Sequence, residues 1–150
     1  MTSRKTSAPP LLFHLYRAVT ALLAPFAYRK VAGRLADHGV SAARQRERMG
    51  YPTEPRPVPH TPDGRPAPLL WFHGASVGES LAALSLIDKL APRLPDAEFL
   101  LTSGTATSAE MMAKRMPANC RHQFAPLDAT APVGRFLRHW QPDAALFVES

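Results

Sequence analysis

The stretch Trp71-Phe72-His73-Gly74-Ala75-Ser76-Val77-Gly78-Glu79-Ser80 constrains the fold more than any other part of the chain. An apolar run, Pro68 to Phe72, drives into a turn of small residues. A helical pattern then runs from Glu79 to about Ala91, with Leu81, Leu84, Ile87 and Leu90 on one side. A strand, a tight glycine turn and a helix start, in that order, place a site at the carboxyl end of a sheet in α/β proteins. The helix start also presents unpaired backbone N–H groups there. Glu79 sits in or next to the first helical turn, where those groups and the helix dipole favour an anionic carboxylate. A carboxylate held ionised at the mouth of a sheet is placed to act as a base.

The same alternation continues downstream. Glu98–Thr102 reads as a second strand. Thr105 or Thr107 caps a helix over Ser108–Met116, with Glu110 early and Lys114 and Arg115 late. Arg121–Phe124 is a short third strand. Asp128 or Thr130 starts a helix with Pro132 in its first turn, running to about Trp140, and Ala144–Val148 is a fourth strand. Strand–helix alternation with short connections predicts a parallel α/β sheet over residues 68–150. The chain stops at Glu149-Ser150, directly after a strand, where the alternation calls for a helix, so the expectation is a piece of a longer protein.

Upstream, the composition changes. The net charge of +6 is carried by residues 1–65, with 11 Lys/Arg against 4 Asp/Glu, whereas residues 66–150 hold 7 against 8. Such a bias favours an anionic surface beside the N-terminal segment, membrane or nucleic acid. Residues 1–10 form a polar, basic lead. On a helix, Leu11–Tyr28 carries Leu11, Leu15, Val19, Leu22 and Phe26 on one stripe, and His14, Arg17, Ala21, Ala24 and Tyr28 on a polar or small face. The run is short for a full span, and Arg17 near its middle disfavours one. The expectation is an anchor lying in one leaflet, ahead of a buried helix and of a signal peptide. Arg29, Lys30, Arg34, Arg44, Arg46 and Arg48 follow as a basic collar suited to anionic lipid. The helix and collar make a segment 1–48. Residues 49–67 are a Pro-rich linker or surface loop.

Gly74-Ala75-Ser76-Val77-Gly78 also matches G-x-S-x-G, the nucleophile elbow of α/β serine hydrolases, and Asp128 and His139 follow in the order such a triad needs. Against this, the elbow follows the first strand, and Asp128 and His139 read as a helix start and a helix face. Thr102-Ser103-Gly104-Thr105-Ala106-Thr107 is a second strand-to-helix turn that could hold a phosphate or sugar, or merely cap a helix. Glu149, at the carboxyl edge of the fourth strand, is equally a site residue or a solvated strand end, and His73 a site donor or a satisfied half-buried histidine. The six histidines show no metal-ligand spacing, so no metal is expected. The single cysteine, Cys120, excludes an internal disulfide.

Taken together, these pieces resemble the N-terminal half of the lipid A Kdo transferases (3-deoxy-D-manno-octulosonic acid transferases). The resemblance is carried by Leu15-Tyr16-Arg17, by Arg44-Gln45-Arg46-Glu47-Arg48-Met49-Gly50 (similar to the family's Arg-x-x-Glu-Arg-x-Gly), and by Trp71 to Glu79. It continues through the turn at 102–107, Phe124-Ala125-Pro126-Leu127-Asp128, Arg135-Phe136-Leu137, Pro142-Asp143 and Phe147-Val148-Glu149-Ser150. The family's glycine is replaced at Ser108. The resemblance implies the α/β, Rossmann-like acceptor domain of a GT-B glycosyltransferase whose C-terminal donor domain, which binds CMP-Kdo, lies outside these residues. It implies inverting, metal-independent transfer of Kdo to the lipid A precursor (lipid IVA) on the cytoplasmic face of the cell inner membrane. No cofactor and no nucleic-acid partner are implied. Glu79 would be the general base, and Ser76, Gly78, Thr102, Thr105 and Glu149 would meet the acceptor. A serine hydrolase using Ser76, and a non-catalytic module docking on anionic surfaces, are the rival readings.

Overall fold

A computed structural model describes residues 11–57, 64 and 66–149. The basic lead at 1–10, part of the Pro-rich stretch (58–63 and 65) and Ser150 lie outside the described residues. The elements are α1 (Leu11–Asp37), α2 (Ala42–Gln45), a short 3₁₀ turn (Arg46–Met49), β1 (Leu69–Gly74), α3 (Val77–Leu90), β2 (Glu98–Ser103), α4 (Ala106–Ala113), β3 (Cys120–Phe124), α5 (Thr130–Trp140) and β4 (Ala144–Val148). The four strands form one parallel sheet in the order β3-β2-β1-β4, so the fold is the expected α/β, Rossmann-like class.

Strand alternation sets the two faces of the sheet. Phe72, Phe99 and Leu101 pack with Ala83, Leu84 and Ile87 of α3 and Met112 of α4. On the opposite face, Leu69 and Leu100 pack with Phe136 and Trp140 of α5. The chain therefore lays α3 and α4 on one face while building outward from β1 to β3. It then returns by α5 on the other face to place β4 against the free side of β1. The direction of winding reverses between β1 and β4.

Element boundaries moved where side chains found better partners. The helix expected from Glu79 starts at Val77, because Ser76 caps it. The helix expected over Ser108–Met116 is Ala106–Ala113. Thr105 caps it by accepting the Ser108 N–H at 3.2 Å, and Pro117 disfavours helical backbone just before it. Lys114 and Arg115 thus lie past its last residue. Neither Asp128 nor Thr130 caps α5, whose N-cap is Ala129 with no side-chain bond. Both side chains face α1 instead: Asp128 accepts from the Tyr16 hydroxyl, and Thr130 Oγ1 accepts the Arg17 Nε–H at 3.1 Å.

Helix α1 runs nine residues past the expected Tyr28, carrying Arg29, Lys30 and Arg34 on the same helix. Its end is packed into the domain, with Leu35 buried against Ala106, Ala109 and Phe124. Leu11, Leu15, Val19, Leu22 and Phe26 are all exposed, while Ala24 on the small face is buried. By length and composition the helix is apolar enough to cross a membrane.

The segment after α1 hooks around the β3 edge. Glu47 is fully buried; it accepts from Arg44 Nε at 3.3 Å, from the Thr53 hydroxyl and from the Phe124 N–H at 2.8 Å. Arg48 donates to the Ala125 carbonyl. Of the basic collar, Arg44 and Arg48 are therefore turned inward. Gly50 ends the hook at φ +78°, and a Cβ there would overlap the Pro132 carbonyl, so both conformation and space demand glycine. Arg135 donates to the Met49 carbonyl at 2.8 Å and stacks over Tyr51, whose ring also receives Arg46.

Arg44 Nη2 also donates to His122 Nδ1 at 2.7 Å, leaving Nε2–H to donate to Ser103 Oγ at 2.8 Å. A second ring proton would face a guanidinium. Burial, and then the Arg44 charge, push the His122 pKa down from 6.5 to about 3. Between those values the unfolded chain binds the proton and the folded one does not, so stability falls as pH drops below about 6.5. Urea unfolding at pH 7 and pH 5 will show this loss, and His122→Gln will flatten it. An unchanged pH slope in that variant would rule out His122 as the cause.

Candidate active site

In parallel α/β sheets a crevice opens at the carboxyl ends of the strands, at the point where the winding reverses. Here that point lies between β1 and β4. The register pairs Gly74 with Val148 and with Ser103, so Ala75, Glu149 and Gly104 leave the sheet in one row. The turn from Ala75 to Glu79 is at the centre of that row.

Its geometry is a reciprocal capping box. Ser76 Oγ accepts the Glu79 N–H at 3.2 Å, and Glu79 Oε2 accepts the N–H groups of Ala75 at 3.0 Å and Ser76 at 3.1 Å. The half-buried Glu79 carboxylate is thereby fixed over the turn. Ser80, fully buried below, shares its hydroxyl proton between the carbonyls of Gly74 and Ser76 at 3.0 and 2.7 Å. A Cβ on Gly74 would lie 2.5 Å from the Ser80 nitrogen, so α3 can begin this close to β1 only over glycine. Gly78 is different: it is exposed, and nothing stands within 4 Å of where its Cβ would be.

Thr102 lies beneath this surface. It is completely buried, accepts Trp71 Nε1–H at 2.8 Å, donates to the Phe72 carbonyl at 3.3 Å and meets His73 Nδ1 at 2.9 Å. With its one proton on Phe72, Thr102 accepts Nδ1–H from His73, which fixes the tautomer with Nε2 as the basic nitrogen. Burial, aided by the Arg48 charge, lowers the His73 pKa against a backbone hydrogen bond with Thr102 and the Glu79 charge, which favours the neutral ring. Phe147 of β4 packs on His73 edge-on, 5.5 Å between ring centres.

The structure thus brings Ser76, Gly78, Glu79, Thr105 and Glu149 to one edge and sets Thr102 under it as a support. The Thr-rich turn touches the first turn directly, since a Cβ on Gly104 would be 3.2 Å from the Ala75 carbonyl. No hydrolase triad forms: Ser76 is the helix cap at an unstrained φ of −98°, His139 bonds the Glu54 carbonyl at 2.9 Å, and Asp128 pairs with Tyr16. No group of three His, Cys, Asp or Glu among the described residues is placed to hold a metal ion. Arg48 also neighbours the site, its charge acting on His73, which its place in the basic collar does not indicate.

The family model for the N-terminal region of 3-deoxy-D-manno-octulosonic-acid transferase (kdotransferase) matches residues 43–150. The chain belongs to the Kdo transferase family. Among curated Kdo transferases, it is 46% identical over 82 residues to that of Rickettsia felis, covering 55% of this chain and 18% of the relative. It is 33% identical over 139 residues to the probable mitochondrial Kdo transferase of Arabidopsis thaliana, covering 93% of this chain and 29% of the relative. The Haemophilus influenzae Kdo transferase is 30% identical over 81 residues, 54% of this chain and 19% of the relative. The chain spans under a third of the length of these relatives. No solved structure matches it significantly. The Arg44–Gly50 stretch, Arg135 and Asp143 are structural: they hold the hook, α5 and the start of β4, where the Leu69 N–H donates to Asp143 at 2.8 Å.

Proposed function

We propose that this chain forms the acceptor half of a membrane-associated GT-B glycosyltransferase that moves Kdo from CMP-Kdo to a lipid A precursor, with inversion and without a metal. The observation that carries the reading is the Glu79 carboxylate, fixed by two backbone N–H groups at the reversal point of the sheet. An acceptor hydroxyl bound over the turn gives its proton to Glu79. The oxygen then bonds to the anomeric carbon from the side opposite the nucleotide, the bond from that carbon to the phosphate oxygen breaks, and CMP leaves with the electron pair. Residues beyond 150 would bind the donor and stabilise the leaving phosphate. Ser76 and Gly78 would let the acceptor approach the turn closely, and Glu149 and Thr105 would bound it on either side. Thr102 would act through His73. A full-length enzyme containing this chain should yield Kdo-bearing lipid when given CMP-Kdo and lipid IVA, read by mass spectrometry; no product with both substrates bound would overturn the reading.

The same proposal places the protein on the cytoplasmic face of the inner membrane, with the exposed stripe of α1 in the lipid. Tyr16 and Arg17 bond Asp128 and Thr130 at the start of α5, which an in-plane helix allows and a helix standing through the bilayer disrupts. Deleting residues 1–30 should move the protein from the membrane pellet to the supernatant while Leu35 keeps its packing. A truncated protein that still pellets with membranes would remove α1 as the anchor.

A further inference from the structure

A cavity of about 440 Å³ opens beside the second strand-to-helix turn, between the end of α1, the 3₁₀ turn and the start of α4. Its polar lining comes from Arg34, His38, Arg48, Gly104, Thr105 and Thr107, and among the described residues no carboxylate lines it. Arg48 spends one N–H on the Ala125 carbonyl, and its Nε is buried with no hydrogen-bond partner among the described residues. Burial also disfavours the Arg48 charge and pulls its pKa down. His38 Nδ1 is occupied by the Arg34 carbonyl at 2.9 Å, which leaves Nε2 for another partner. The first turn of α4 adds backbone N–H groups that no carbonyl of its own helix can reach.

We propose that this cavity is a phosphoryl-binding subsite that takes a phosphate monoester between Arg34, Arg48 and the start of α4. Two guanidinium groups in a wall that holds no carboxylate among the described residues call for an anion, and Arg matches phosphate oxygens with paired donors. Donors arriving from α1, from the hook and from a helix start suit a tetrahedral group better than a planar carboxylate. The volume exceeds that of a phosphate alone and leaves room for the group that carries it. The cavity also adjoins the Glu79 turn, because Gly104 packs on Ala75, whose N–H donates to Glu79. This assignment rests on the acceptor reading of the sheet edge and deepens it: a phosphoryl group on the acceptor would be held one turn away from the base.

The test is a titration of the chain in maltoside micelles, following backbone amides by NMR with inorganic phosphate and, separately, glucose 6-phosphate. The amides of Gly104–Thr107 should shift with both, and Arg34→Gln and Arg48→Gln should each weaken binding about tenfold. Arg34 is exposed, so its variant keeps the fold even if Arg48→Gln does not. Tighter binding of the sugar phosphate assigns the subsite to an esterified phosphate; equal binding assigns it to the phosphate ion. Absence of shifts at Gly104–Thr107, or an affinity that Arg34→Gln leaves unchanged, overturns the subsite. Glu79→Gln should bind phosphate as the parent does, so loss of the base assignment and loss of the subsite are read in separate experiments.

Discussion

Glu79→Gln in the full-length enzyme should lower the turnover of Kdo transfer by about 10²–10⁴-fold, the usual contribution of a positioned general base, and leave the fold intact. Glutamine is chosen because the local structure accepts it. A capping box takes Glu or Gln at its third helical position, and a Gln oxygen can still accept the N–H groups of Ala75 and Ser76. What the amide loses is the ability to take a proton. The comparison is therefore between two proteins with the same cap and different chemistry, read as kcat with CMP-Kdo and lipid acceptor alongside the thermal midpoint. Glu79→Ala is the less informative change, because it also removes half of the cap, at a cost of about 1 kcal/mol. A Gln variant that keeps turnover within a fewfold of the parent would take the base role away from Glu79.

The largest stability loss should come from outside the site. Glu47→Ala removes the acceptor shared by Arg44, Thr53 and the buried Phe124 N–H. Arg44 is 36% exposed and keeps His122 as a partner, so the loss falls mainly on the buried Phe124 N–H left without an acceptor, at a cost of about 1–3 kcal/mol. A domain with a total stability of about 5–15 kcal/mol would lose a sizeable part of it. Urea unfolding at constant pH measures the change, and a loss below about 1 kcal/mol would mean that water replaces the carboxylate and that the hook does not depend on it. Glu47→Gln should fall between the two, since it keeps an acceptor but turns an NH₂ group toward donors.

The contrast between these residues shows where the sequence was legible. All four strands, the parallel sheet and the turn bearing Glu79 follow from local patterns: period-two apolar runs, small residues at a turn, and a helix signature directly after it. Those patterns report on neighbours in the chain. Glu47 entered only as part of the Arg-x-x-Glu-Arg-x-Gly stretch, because nothing local says that Phe124 offers it an N–H from 77 residues away. Asp128 and Thr130 look like helix caps in isolation and lose that role only because α1 supplies Tyr16 and Arg17. Thr102 sits in a hydroxyl-rich turn that reads as ligand-facing, yet strand alternation aims it inward at Trp71 and His73. The cavity residues were hardest to see, since Arg34, Arg48 and Thr105 come together only when three separate segments converge.

Helix α1 is about 40 Å long at 1.5 Å per residue, and it is joined to the domain at two separated places, through Tyr16 and Arg17 to Asp128 and Thr130 at the start of α5 and through Leu35 to α4 and β3. Two points of attachment make it a strut rather than a leash. With its apolar side in a lipid surface, a strut leaves the domain little freedom to roll or tilt, and it sets the height of the Glu79 turn above the headgroups. The enzyme would then meet its lipid by sliding in a plane with its crevice already aimed, instead of tumbling in solution until a flexible tether happens to present the right side.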